Sequence, residues 1–236
     1  IPVQLKIEEN NQVDPAELNF EVFQDPGNTP LMIAMSINNA LQSRLQYNLG
    51  GNLSMEGSLK VDGKTIPFKR FYSSTKKEGT AMMAARDLAN TLFQVWNNPF
   101  QQAQIEHLQL TFKVRDQSQI AEIDETWPEQ TDVQPGESIA LNIRLRTYRG
   151  QTIVRRMRVQ VPVDTPNGPL LLLATSGPSL DALENSLKSG YFNYQELLNS
   201  LSQQREHKRI YLKWISDEPG LSQYGQIYGQ LPVSVA

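Results

Sequence analysis

Nucleophilic catalysis needs a base within hydrogen-bond reach of a nucleophile, and this sequence has two histidines, His107 and His207, and no cysteine. His107 falls on the polar side of an alternating run, and His207 lies among Arg205, Glu206, Lys208 and Arg209 in what reads as a solvated connection. Neither is placed as a catalytic base. The missing cysteine excludes a thiol nucleophile, a thiolate metal site and a structural disulfide, and leaves the redox compartment undecided. Glu122 and Asp124 share a face of any strand they occupy and could bind a cation or act as acid and base, although surface solubility explains them equally well. No third ligand at metal spacing and no glycine-rich phosphate loop accompanies them. The expectation is a protein that is not an enzyme, with no catalytic residue, no metal and no cofactor.

Two sets of residues suit recognition instead. Arg144, Arg146, Arg156 and Arg158 collect on one face of a hairpin, where converging guanidinium groups would hold a carboxylate- or phosphate-bearing partner. Nearby Asp and Glu would neutralise the same face. Arg155, in the opposite register, points to the apolar side beside Ile143 and must snorkel out or meet a carboxylate. Tyr191, Tyr194, Tyr211, Trp214, Tyr224 and Tyr228 crowd the last quarter of the chain. Such residues form a sugar- or peptide-stacking platform when exposed, and more often seal a helix against a sheet. The candidate partner-binding residues are therefore Arg144, Arg146, Arg156, Arg158, Tyr211, Trp214, Tyr224 and Tyr228.

The elements that must position these groups are legible from periodicity. The longest alternating stretch spans residues 131–173, with Ile139, Leu141, Ile143 and Leu145 on one face and Met157, Val159 and Val161 repeating the pattern after Tyr148-Arg149-Gly150. A three-residue loop with Gly150 left-handed pairs Leu145 with Ile153, Leu141 with Met157 and Ile139 with Val159, whereas a two-residue loop would mix the faces. Upstream, from Leu18 to Val114, the order is strand, helix, two hairpin strands, helix, strand. Thr29-Pro30 opens the first helix, with the threonine expected to cap its free amides. Asp62-Gly63 turns the hairpin. The second helix spans about residues 80–96 and ends at Asn97-Asn98-Pro99-Phe100. Leu170 to Leu173 is too apolar for an exposed edge. Downstream, Pro178-Ser179 opens one short helix and Asn193 with Glu196 resembles a capping box for another. Both helices are expected to cap the second domain. A last strand carries Ile210, Leu212 and Trp214, and Tyr224-Gly225-Gln226 with Tyr228-Gly229-Gln230 reads as a loop or edge strand. The fold class expected is α+β: a two-layer, ferredoxin-like unit over residues 1–115, then a small immunoglobulin-like antiparallel β-sandwich over 116–236.

Whole-chain totals agree with a binding or structural role. The 236 residues can bury a sizeable core without staples. With 22 Lys and Arg against 25 Asp and Glu, the net charge of −3 gives no field to gather nucleic acid or an anionic membrane surface. No apolar run reaches the length of a membrane span. The chain opens at Ile1 with neither an initiator Met nor a signal-like segment, and the expectation is a piece excised from something longer.

Several segments recur in a recognisable order: Thr29-Pro30-Leu31, Asn97-Asn98-Pro99-Phe100, Val133-Gln134-Pro135-Gly136-Glu137, Tyr148-Arg149-Gly150, Pro162 through Pro169-Leu170, and Leu231-Pro232 with Ser234. The set resembles the C-terminal region of bacterial SpoIVB-type serine peptidase domain proteins, exported proteins in which a trypsin-like catalytic domain precedes such a region. The family's nucleophile lies in a Gly-Ser-Pro type segment. Here Ser58 follows Gly57 but precedes Leu59, and Gly177-Pro178-Ser179 has the wrong order, so no catalytic residue carries over. The resemblance implies a non-catalytic structural or protein-interaction module outside the cytoplasm, whose partner is another protein or an upstream peptidase domain of the same polypeptide. A carbohydrate-binding module using the C-terminal aromatics is the alternative.

Overall fold

The computed structural model describes residues 1–9, 14–44, 51–74, 79–115, 120–147, 150–188, 190–215, 221–223 and 226–228. In chain order its elements are β1 (Pro2–Glu9), β2 (Ala16–Glu21), α1 (Thr29–Arg44), β3 (Gly51–Val61), β4 (Lys64–Ser74), α2 (Gly79–Trp96), β5 (Ile105–Arg115) and β6 (Ala121–Pro128). There follow β7 (Ser138–Thr147), β8 (Thr152–Gln160), β9 (Leu171–Ser176), α3 (Gly177–Ser186), α4 (Tyr194–Ser202), β10 (Ile210–Ile215), β11 (Leu221–Gln223) and β12 (Gln226–Tyr228). The class is α+β, with the expected strand, helix, hairpin, helix, strand order from β2 to β5. No helix among the described residues is long and apolar enough to cross a membrane.

The chain divides into two compact units, residues 1–118 with 181–208, and residues 119–180 with 209–236. In the first, five strands lie in the order β2-β1-β5-β3-β4, with β1 parallel to β5 and the other neighbours antiparallel. Alternation puts Val3, Leu5 and Ile7 of β1, Leu53, Met55 and Leu59 of β3, and Leu108, Leu110 and Phe112 of β5 in one core with Ile33, Ile37 and Leu41 of α1 and Leu88 and Leu92 of α2. Each such side chain contributes about 1.5–3 kcal/mol by leaving water. Ala34 of α1 meets Ala85 and Ala89 of α2, small residues that let the helices approach closely.

Local chemistry sets the ends of these elements. Asp62 (φ 48°) and Gly63 (φ 75°) are both left-handed, as a two-residue hairpin twisting with its strands requires. Gly57 serves packing instead: a Cβ there would lie 2.0 Å from the Gln109 carbonyl oxygen, so only glycine lets β3 and β5 come together. Beyond α2, the Asn98 side chain donates to the Val95 carbonyl at 2.7 Å and accepts from Phe100 and Gln101 amides, which turns the chain back. Thr29 departs from its expected capping role. Its hydroxyl is buried, accepts from the Asp25 amide at 2.7 Å and donates to the Phe23 carbonyl, so it ties down the approach to α1 rather than the first turn.

Asn193 caps α4 as expected, accepting from the Glu196 amide at 2.8 Å, while Glu196 reaches back to the Phe192 amide at 2.9 Å. Its location differs from expectation. Leu197, Leu198 and Leu201 join the core of the first unit, so α4 does not cap the second. The two units are consequently interleaved in sequence rather than split at residue 115, and the boundary falls within α3. An apolar helical stripe says that a face is buried, not which sheet buries it.

The second unit contains a three-stranded antiparallel sheet, β6-β7-β8, and two pairs, β9 with β10 and β11 with β12. The β7–β8 register is the one the loop argument requires: Leu145 opposite Ile153, Leu141 opposite Met157, Ile139 opposite Val159, with Gly150 at φ 78°. Ile139, Leu141 and Ile143 are buried, together with Val161 and Leu180. Leu171 of β9 is exposed, against the expectation for its apolar run, and among the described residues β9 pairs with β10 alone.

Candidate functional site

The outward face of the three-stranded sheet holds the arginines singled out from the sequence, and β6 opposes them with acids. β6 bulges between Ile123 and Glu125, so that Glu122 stands opposite Arg146 and Glu125 opposite Arg144. The pairing of Glu122 with Asp124 on one face is thereby corrected: Asp124 is the extra residue of the bulge. Ion pairs follow the register: Arg144 with Glu125 at 2.8 Å, Arg146 with Glu122 at 3.1 Å, and Arg156 with Glu129, just beyond β6, at 2.6 Å. Arg144 also lies 5.2 Å from the centre of the Trp127 ring, a cation–π distance. The hydrogen bond from Arg156 holds the Glu129 carboxyl below the usual carboxylate range. Arg158 is exposed, and so is Arg155, which snorkels out although it stands opposite buried Ile143. Among the described residues neither has a carboxylate in ion-pair reach. Three of the four arginines on this face are thus neutralised.

The aromatic candidates do not share one surface. Tyr211 and Trp214 are half-buried in β10, and their spacing turns them to opposite faces of that strand. Trp214 spends its Nε1–H on the Gln160 carbonyl at 3.2 Å. Tyr228 lies in β12, and Tyr224 is outside the described residues. Tyr191 and Tyr194 pack against the core of the first unit. The Tyr194 hydroxyl donates to Asp62 at 2.5 Å, pinning α4 to the β3–β4 turn, and burial followed by this carboxylate raises its pKa. A groove of about 370 Å³ is lined by Phe93, Asn98, Pro99, Phe100, Tyr191 and Leu197.

One polar cluster escaped sequence reasoning. Arg70 sits on the inward face of β4, in step with Ile66, Phe68 and Tyr72, and is 5 % exposed. Its Nε lies 3.4 Å from Asp87 Oδ2 on α2, and the Tyr72 hydroxyl donates to the same oxygen at 2.5 Å. Burial, and then the Asp87 charge, raises the Tyr72 pKa. His207 completes the group. Its ring stands edge-on to Tyr72 at 5.8 Å and its Nδ1 lies 2.7 Å from the Phe71 carbonyl oxygen. The expectation of a solvated His207 is therefore corrected: the ring is packed onto β4, and desolvation lowers its pKa. His107, half-buried opposite Lys60, sits on the wetter face of β5 as expected. The signal for the cluster was the odd arginine in the alternation of β4; its partners lie on α2 and beyond α4, which no local pattern joins.

This cluster brings together residue types that also occur in catalytic sites. The Tyr72 hydroxyl donates to the Asp87 carboxylate, which also receives Arg70, and His207 Nδ1 is held by the Phe71 backbone, so the four side chains are tied to one another and to β4. Among the described residues no group of three or more His, Asp or Glu side chains could hold a metal ion. No protein-family model matches the chain, and neither does any curated protein or solved structure.

Proposed function

We propose that this chain is a non-catalytic protein-interaction module of an exported bacterial protein of the SpoIVB-type peptidase kind, acting outside the cytoplasm beside a peptidase domain. The observation that carries the reading is the engagement of its reactive-looking side chains with one another: Arg70 and Tyr72 both meet Asp87 Oδ2, and the His207 ring packs against Tyr72 with Nδ1 on the Phe71 carbonyl. In this reading the first unit is the stiff support, and the second, an immunoglobulin-like sandwich of the three-stranded sheet with β9 and β10, presents the recognition face. The buried Ile139, Leu141 and Ile143 support such a sandwich. A glycan platform has less support, because Tyr211 and Trp214 turn to opposite faces of β10.

The test is hydrolysis of peptide and ester substrates by the purified protein, alongside His107→Ala and His207→Ala. The expected rate is that of buffer for all three. Turnover above buffer that disappears in either variant overturns the reading.

A further inference from the structure

The two edges of the three-stranded sheet are built differently. Hydrogen bonds at either end of the β7–β8 ladder, from the Thr147 amide to the Gln151 carbonyl at 2.9 Å and from the Val161 amide to the Glu137 carbonyl at 2.8 Å, set its parity. Odd-numbered residues of β8 bond to β7, so Thr152, Val154, Arg156 and Arg158 turn their amide and carbonyl groups away from it. Among the described residues nothing receives those groups. The next outward carbonyl, that of Gln160, is taken by Trp214, which closes the far end.

β6, the opposite edge, is blunted by its bulge at Asp124 and by Pro128, which has no amide to offer. β8 carries neither device. Two of its three arginines also have no carboxylate among the described residues: acids from β6 and just beyond it serve Arg144, Arg146 and Arg156, and the two left over, Arg155 and Arg158, both belong to β8. They lie on opposite faces of the strand, so the charge surrounds the open edge rather than one surface.

We propose that the free edge of β8 binds an extended acidic segment of a partner protein by strand addition, its backbone pairing with Thr152, Val154, Arg156 and Arg158 and its carboxylates taking Arg155 and Arg158. Such a strand does for β8 what β6 does for β7. A second copy of the chain is the wrong occupant here, because β8 against β8 sets arginine across from arginine. The inference rests on the interaction-module reading and names its surface and the chemistry of its partner.

The test titrates the whole chain, at low salt, into a labelled synthetic peptide with the sequence of residues 121–128, whose acids at the positions of Glu122, Asp124 and Glu125 face both sides of a strand. Saturable binding is expected, weaker by roughly tenfold when those acids become amides. Methylating alternate backbone nitrogens of the peptide, which leaves the protein untouched, removes it. Arg155→Glu combined with Arg158→Glu exchanges preference, losing the acidic peptide and taking up one with lysines in its place. Absence of saturable binding, equal binding of acidic and amide peptides, or a self-dimer broken by Val154→Pro overturns the proposal. None of these outcomes bears on the hydrolysis assay, which decides the non-catalytic reading separately.

Discussion

The inner face of β5 and the outer face of β7 are both central-strand faces, yet they are filled in opposite ways. On β5, Leu108, Leu110, Phe112 and Val114 are withdrawn from water under two helices. On β7, Asn142, Arg144 and Arg146 stay wet, and the arginines exchange charge with β6. Each buried side chain is worth about 1.5–3 kcal/mol, whereas an exposed ion pair contributes about 0–1 kcal/mol. The first face therefore holds its unit together, and the second mainly sets which residue stands opposite which. A surface organised by register rather than by burial remains available for recognition.

The contrast can be broken hardest at Gly57. Gly57→Ala puts a methyl group into the Gln109 carbonyl, and a loss of about 4 kcal/mol or more is expected, read as failure to fold or a collapsed urea midpoint. Asp87→Ala comes next, since it leaves the Arg70 guanidinium buried without its carboxylate; the expected cost is about 3 kcal/mol, mostly recovered in an Arg70→Met, Asp87→Leu double variant. His207 probes the same unit by pH. Its pKa is lowered on folding by burial, so the unfolded chain takes up a proton that the folded one resists. Stability should fall as pH drops below the ordinary histidine value of about 6.5, and the added penalty is complete at the lower folded value. Urea midpoints from about pH 7.5 to about pH 5 should slope less in His207→Gln. The smallest effect belongs to the second unit: Glu125→Gln should cost less than about 1 kcal/mol and become indistinguishable from the parent at high salt. A cost comparable to that of Asp87→Ala would erase the distinction between the two faces.

Sequence reasoning reached whatever is local. Alternation with one left-handed glycine determined the β7–β8 register, Asp62-Gly63 marked the β3–β4 turn, and Asn193 with Glu196 marked the start of α4. What lay beyond it was held in pairings between distant residues. Asp124 looks like a partner for Glu122 until β7 forces a bulge between them and the arginines. Thr29 looks like a cap until its hydroxyl finds the backbone of residues 23 and 25. Of the candidate site, the Arg face was visible as a stripe, but its neutralisation depended on the register of β6. The buried set around Arg70 joins three segments that are far apart along the chain.

The homes of α4 and β10 also bear on how the polypeptide matures. Leu197, Leu198 and Leu201 emerge from a ribosome only after β6 to β9 have been made, so the groove awaiting them stays greasy and unsealed through all of that synthesis. β10 arrives later still to meet β9. Each half must therefore stay receptive while the other is being delivered, and a premature stop before α4 leaves both unfinished, whereas one between α4 and β10 leaves only the second so.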